Sequence, residues 1–189
     1  MSSKAEILAA LKSVALPEHP MPKVEIAPRL DDLIGQYEAG LKACGGTLIR
    51  DNALAALQSQ VDTLIAEGKQ VISRVDAVTG NREVPSDPHE LKDINYAVIP
   101  GQLGVAENGS IWVTEDLAGI RIAPFICENL MLVLKAEDIV ANMHQALAKI
   151  SLDNTGFGVF IAGPSKTADI EQALVIGAHG ACTLNVYLV

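Results

Sequence analysis

Three groups of side chains have the types and spacing to do chemistry. Ser165-Lys166-Thr167 follows Gly163-Pro164 and a short apolar run holding Phe157, Val159 and Ile161. Two hydroxyls and a lysine after a strand suit the grip of a carboxylate or phosphate. The stretch reads as strand, tight turn and helix, with Asp169 and Glu171 in the first helical turn and Gly177 as its stop. Free N–H groups and the helix dipole would then favour an anion at Ser165 to Thr167. The Gly-x-x-x-x-Gly-Lys-[Ser/Thr] pattern of a nucleotide loop is absent, because Gly156 and Gly158 precede the strand. Two readings stay open: a generic anion site, or a plain cap by Ser165 or Thr167. Asp169 and Glu171 complement the dipole and oppose an anion.

Glu107 precedes an Asn108-Gly109 turn and follows the apolar pair Val105-Ala106. Partly withdrawn from water, it would act as a nucleophile or as an acid and base. The competing reading is a solvated hairpin-tip residue. His179, between Ala178 and Gly180, suits a general base or a hydrogen bond to a ligand. It suits the last carbonyls of a preceding helix equally well. Cys44, Cys127 and Cys182 are far apart and show no Cys-x-x-Cys or His-x-x-x-His spacing, so no local metal or iron–sulfur site is encoded.

Positioning these residues falls to alternating strands and helices. Ser3 to Val14 has an amphipathic stripe of Ile7, Leu8, Leu11 and Val14, read as a helix that covers a hydrophobic face. Pro17, Pro20, Pro22 and Pro28 make the next segment an extended linker. Helices are expected over Arg29 to Cys44, Asn52 to Ala66 and Ala136 to Ile150. Strands are expected at Thr47 to Ile49, Val71-Ile72, Tyr96 to Ile99, Ser110 to Thr114, Leu130 to Leu134 and Leu184 to Val189. This alternation indicates an α/β fold, three layers α/β/α around a largely parallel sheet.

With 189 residues and 49% hydrophobic content, the chain has the makings of one domain with a full core. A net charge of −9, without a Lys/Arg-dense stripe, argues against a nucleic-acid partner. No apolar run is long enough to span a bilayer, and the odd cysteine count without a signal peptide makes the cytoplasm the expected compartment.

The blocks Gly163 to Glu171, Leu174-Val175, Gly177 to Gly180 and Leu184 to Val189 closely resemble the end of the LutC/YkgG family, the LUD-domain group associated with lactate utilisation. Ala106 to Ile111 is similar to that family's Ala-Glu-Thr-Gly-Thr block, with Asn108 in place of the hydroxyl residue. The resemblance implies residues 29–189 as a LUD domain behind an N-terminal helix and Pro-rich linker over 1–28. It implies a fold like that of ribose-5-phosphate isomerase, glucosamine-6-phosphate deaminase and CoA transferases. It also implies a non-redox accessory subunit in a system that oxidises L-lactate to pyruvate. The iron–sulfur clusters would lie in partner subunits and this chain would hold no cofactor or metal. Homo-oligomerisation is left open.

The expected ligand is a small anion, carboxylate or phosphate, in a cleft at the carboxyl ends of the strands. The residues assigned to it are Gly104, Glu107, Asn108, Gly109, Ser165, Lys166, Thr167, Asp169, His179 and Gly180. A rival reading comes from the similarity of Glu107-Asn108-Gly109 to the Ser-Glu-Asn-Gly block of class I CoA transferases, whose glutamate forms a thioester. It gives a free-standing CoA-transferase-like or sugar-phosphate enzyme using Glu107, although Ala106 stands where that block has serine.

Overall fold

A computed structural model describes residues 3–14, 19–20, 22, 26–151, 156–167 and 174–189. Helix α1 (Ser3–Ser13) leads the chain, and its stripe of Ile7, Leu8, Leu11 and Val14 stays 48–65% exposed among the described residues. Helix α2 (Leu33–Ala43) begins where the Asp32 carboxylate accepts the Gly35 N–H at 3.0 Å, four residues later than the apolar spacing suggests. Strand β1 (Thr47–Ile49) follows, then α3 (Ala53–Ala66), closed by Gly68 at φ +82°. Next come β2 (Val71–Ser73), a 3-10 turn over Pro88–Leu91 and β3 (Tyr96–Pro100). The hairpin of β4 (Leu103–Val105) and β5 (Ser110–Thr114) leads into two one-turn helices, α4 (Glu115–Ala118) and α5 (Ala123–Ile126). After β6 (Asn129–Leu134) come β7 (Ile139–Val140), α6 (Met143–Lys149) and β8 (Gly158–Ile161). The chain closes with β9 (Lys166–Thr167), β10 (Val175–Ile176) and β11 (Thr183–Leu188).

Five strands form a wholly parallel sheet in the order β1-β11-β6-β3-β2. Its middle strands read as apolar runs because both faces are covered. Alternation along β6 sends Leu130, Leu132 and Leu134 to one face and Met131 and Val133 to the other. Helix α3 covers the second face with Leu57, Val61 and Leu64. The first face packs on α2 through Tyr37 and Leu41 and on a four-stranded sheet through Ile111, Val113 and Ile139. That sheet has the order β7-β4-β5-β8, and α6 closes its far side against Trp112 and Val140. The α/β class with a mostly parallel central sheet is therefore the observed one.

Two segments differ from the expectation drawn from spacing. Ala136 to Ile150 is three pieces rather than one helix: a 3-10 turn, β7 and α6. Ile139 and Val140 pair with Gly104 and Val105 in a strand, and the Asn142 side chain then caps the Gln145 N–H at 3.0 Å. β-branched residues at the edge of a buried sheet favour that extended state. The helix expected after Ser165 to Thr167 falls on residues outside the described ones. Lys166 and Thr167 are strand β9, antiparallel to Val175 and Ile176 of β10. Gly177, at φ +80°, follows a strand and does not stop a helix. The placements of Asp169 and Glu171 lie outside the described residues.

Candidate functional site

The four-residue turn Ala106–Gly109 joins β4 to β5. Asn108 shapes it from within, its side-chain oxygen accepting the Ser110 N–H at 3.0 Å and the Ser110 hydroxyl at 2.7 Å. Gly109 has φ +67°, and a Cβ there would stand 2.1 Å from the Leu41 nitrogen. Only glycine lets the turn close so tightly on α2. Gly104 has a similar task in the core, since a Cβ would meet Leu134 at 2.6 Å and the Tyr37 ring at 3.3 Å. At both positions packing leaves no room for a side chain.

Glu107 is exposed, not partly withdrawn from water. Its backbone N–H donates to the Ala141 carbonyl at 3.0 Å, and its carboxylate accepts the Met143 N–H at 2.9 Å. That makes Glu107 a cross-loop cap on the first turn of α6, where a negative charge is favoured. It also lines an open cavity of about 630 Å³ with Arg29, Asp31, Asp32, Gln36 and Asn142. Three carboxylates against one guanidinium make that space unfavourable for an anion.

Lys166 is committed elsewhere. Its ammonium donates to the carbonyl of Cys44, the residue that caps the carboxyl end of α2. A cation there satisfies a free carbonyl and complements the dipole. The Cys44 thiol in turn donates to the Asn108 carbonyl at 3.6 Å. Cys44 thus ties the Asn108 turn to the Gly163–Thr167 segment, a junction that spacing alone does not reveal. The Gly45-Gly46 pair after α2 is its visible trace, marking a helix end in want of a cation.

Ser165, His179 and Gly180 do come together. The Ser165 N–H donates to the Ala181 carbonyl at 2.9 Å, and the Gly177 N–H donates to the Ser165 carbonyl at 3.0 Å. These bonds fold residues 177–181 back over β9, and a Cβ on Gly180 would lie 3.1 Å from that of Ser165. With Pro124, Phe125, Leu130 and Ile161 the three residues line a cavity of about 240 Å³. Ala181 precedes β11 and Leu130 lies near the start of β6, so this cavity opens at the amino ends of the parallel strands. The cleft expected at their carboxyl ends is lined instead by Gly101, Gln102, Thr114, Asp116, Lys135 and Asp138. The ten residues assigned by sequence are therefore divided: Glu107 borders one cavity, while Ser165, His179 and Gly180 border another. Thr167 is held in the β9–β10 hairpin, and Asp169 is outside the described residues.

Among the described residues no three His, Cys, Asp or Glu side chains gather as a metal cage. All three cysteines are free thiols. Burial pushes the Cys127 thiol up to about 12, which leaves it protonated and unreactive at neutral pH. No described helix is long and apolar enough to cross a membrane.

A family model described as the LUD domain matches residues 88–189. The chain is 28% identical over 92 residues to a protein named lactate utilization protein C from Oceanobacillus iheyensis, covering 45% of this chain and 39% of that one. It is 30% identical over 91 residues to the protein of the same name from Bacillus pumilus, with 45% and 38% covered. The alignments thus span about two fifths of these relatives. In fold, the chain is similar to a crystal structure of a DUF162-family protein from Deinococcus radiodurans, with a TM-score of 0.58 and 16% identity over 84% of this chain and 96% of that one.

Proposed function

The chain belongs to the LUD-domain family, and on that premise we propose that it serves lactate utilisation as a non-redox accessory subunit. The observation that carries this reading is the domain match over residues 88–189, taken with relatives named lactate utilization protein C. In this reading electron transfer belongs to iron–sulfur partner proteins, and this chain binds a small anion, a partner, or both. A strain lacking the protein is expected to lose growth on L-lactate as sole carbon source while growing normally on pyruvate. Lactate consumption at the parental rate would remove the assignment.

A second reading rests on Glu107, whose exposed carboxylate borders the cavity of about 630 Å³. It is a CoA-transferase-like or sugar-phosphate enzyme with Glu107 as nucleophile, in which Arg29 would have to hold the substrate's phosphate against Asp31 and Asp32. Borohydride reduction after incubation with an acyl-CoA would mark a glutamyl thioester on Glu107. An unmodified Glu107 excludes the thioester route.

A further inference from the structure

Helix α1 leaves its apolar side uncovered. Ile7, Leu8, Leu11 and Val14 recur at helical spacing, stay 48–65% exposed, and join none of the hydrophobic clusters formed by the described residues. An 11-residue helix is marginal in water without a packing partner, so this stripe calls for one. The charges on α1 are asymmetric. Lys4 and Lys12 stand one turn before and one turn after Leu8, and Glu6 lies on the opposite flank of the stripe. The body carries a groove of matching pattern, about 380 Å³, between the start of α2 and α6. Leu30, Leu33, Val140, Ala141 and Ala148 line it, and Lys149 stands at the carboxyl end of α6. Ala141, before the other end of α6, also borders the neighbouring cavity, where Asp31, Asp32 and Glu107 outnumber Arg29. The apolar hollow of Pro88, Ile122 and Ile126 has Lys92 and His89 as its polar residues among the described ones, and Lys92 repels the lysines of α1.

We propose that α1 of a second copy of this chain fills the groove beside α6, in a reciprocal exchange that makes a two-fold dimer. Its stripe lies on Leu33, Val140 and Ala148, with Lys4 and Lys12 toward Asp31, Asp32 and Glu107, and Glu6 toward Lys149. Burial of the stripe drives the contact, and the charges set its direction. The chain's own α1 is a poorer occupant. The groove begins where the linker ends, because Leu30 lines it and Ile26 lines the adjoining cavity. Residues 15–25 separate Val14 from Ile26, and Pro17, Pro20 and Pro22 among them favour an extended chain. At about 3.1 Å per residue an extended spacer of that length spans roughly 35 Å, a reach suited to a neighbouring copy. Two-fold exchange makes the contact twice, which brings the buried area toward that of a stable dimer.

Sedimentation velocity of the full chain over a concentration series tests this. A concentration-dependent dimer is expected for the natural sequence. Leu11→Glu and Ala148→Glu each replace an exposed residue by a good helix former, so the fold of the body stays intact. Each should raise the dimer dissociation constant at least about hundredfold, because two-fold symmetry removes the contact from both chains. Mixed together, the two variants are expected to associate again, since one supplies an intact groove and the other an intact helix. Their added charges have the same sign, so recovered association cannot come from a new ion pair. A chain that stays monomeric at every concentration overturns the exchange. So does a monomer in which Leu11→Glu speeds amide hydrogen exchange over residues 139–149, the mark of α1 seated on its own groove. A dimer undisturbed by both variants, or variants that stay apart when mixed, overturns it too.

Discussion

Cys127 and Cys182 lie close together in the fold and have opposite chemistry. Cys127 is buried in the main core and its thiol is held up at about 12, from 9.0, chiefly by loss of solvent. Cys182 is exposed. A maleimide at pH 8 is expected to label Cys182 in the folded protein and to reach Cys127 only after unfolding, as peptide mass mapping would show. The raised Cys127 value has a thermodynamic counterpart. The folded state keeps the proton that the unfolded chain releases above pH 9, so the stability from the neutral thiol is complete below pH 9 and falls between pH 9 and 12. Burial raises the hydroxyls of Tyr37 and Tyr187 as well, which adds to the same alkaline loss. Denaturant midpoints measured from pH 8 to 11 should decline, and less steeply in Cys127→Ala. A flat profile would contradict the burial argument.

At the scale of elements, the turn between β4 and β5 and the end of α2 form one junction. Gly109 lies against the backbone of Gly40 and Leu41, Cys44 reaches the Asn108 carbonyl, and Lys166 closes on the Cys44 carbonyl. Gly163 is equally confined, since a Cβ on it would stand 2.1 Å from the Cys44 oxygen. Gly109→Ala places a methyl at a positive φ and into the α2 backbone together. A loss of at least about 2 kcal/mol is expected in denaturant unfolding, from left-handed strain and forced separation of the turn from the helix. Gly68→Ala is the matching control: φ is also positive, +82°, but nothing lies within 4 Å of the added methyl. It should cost only the strain, about 1 kcal/mol. Equal losses in the two variants would show that the packing against α2 contributes nothing.

Across the whole molecule, the parallel sheet is the common wall of two hydrophobic clusters. Leu132 lies mid-sheet on β6, fully buried, paired with Val186 of β11 and Ile99 of β3. Its face meets α2 and the second sheet, so Leu132→Ala opens a void that three elements would have to move to fill. A destabilisation of about 3–5 kcal/mol is expected by chemical denaturation, toward the upper end for core leucines because the flanking strands cannot collapse inward. A loss below about 1 kcal/mol would mean that the core is plastic at this point.

Much of this architecture is legible in the residue pattern. Ser110 to Thr114 and Leu130 to Leu134 announce strands through apolar runs, and Asn52 to Ala66 announces α3 through its repeat and Gly68, because burial on defined faces imposes those periods. The resemblance to the LUD group is likewise carried by local blocks, and the family match agrees with it. Other features depended on contacts far apart in the chain. Strand pairing to Val175 and Ile176 made Lys166-Thr167 extended, and Cys44, 122 residues away, took the lysine. Pairing with β4 likewise turned Ile139-Val140 into a strand. Glu107 was brought onto the Met143 N–H, and Ser165 with His179 onto a separate cavity. Residue types and spacing determined which side chains could do chemistry and which faces had to be buried. Only tertiary structure decided which of them share a cavity, because hydrogen-bond partners and neighbouring charges are set by strand order and loop closure rather than by proximity along the chain.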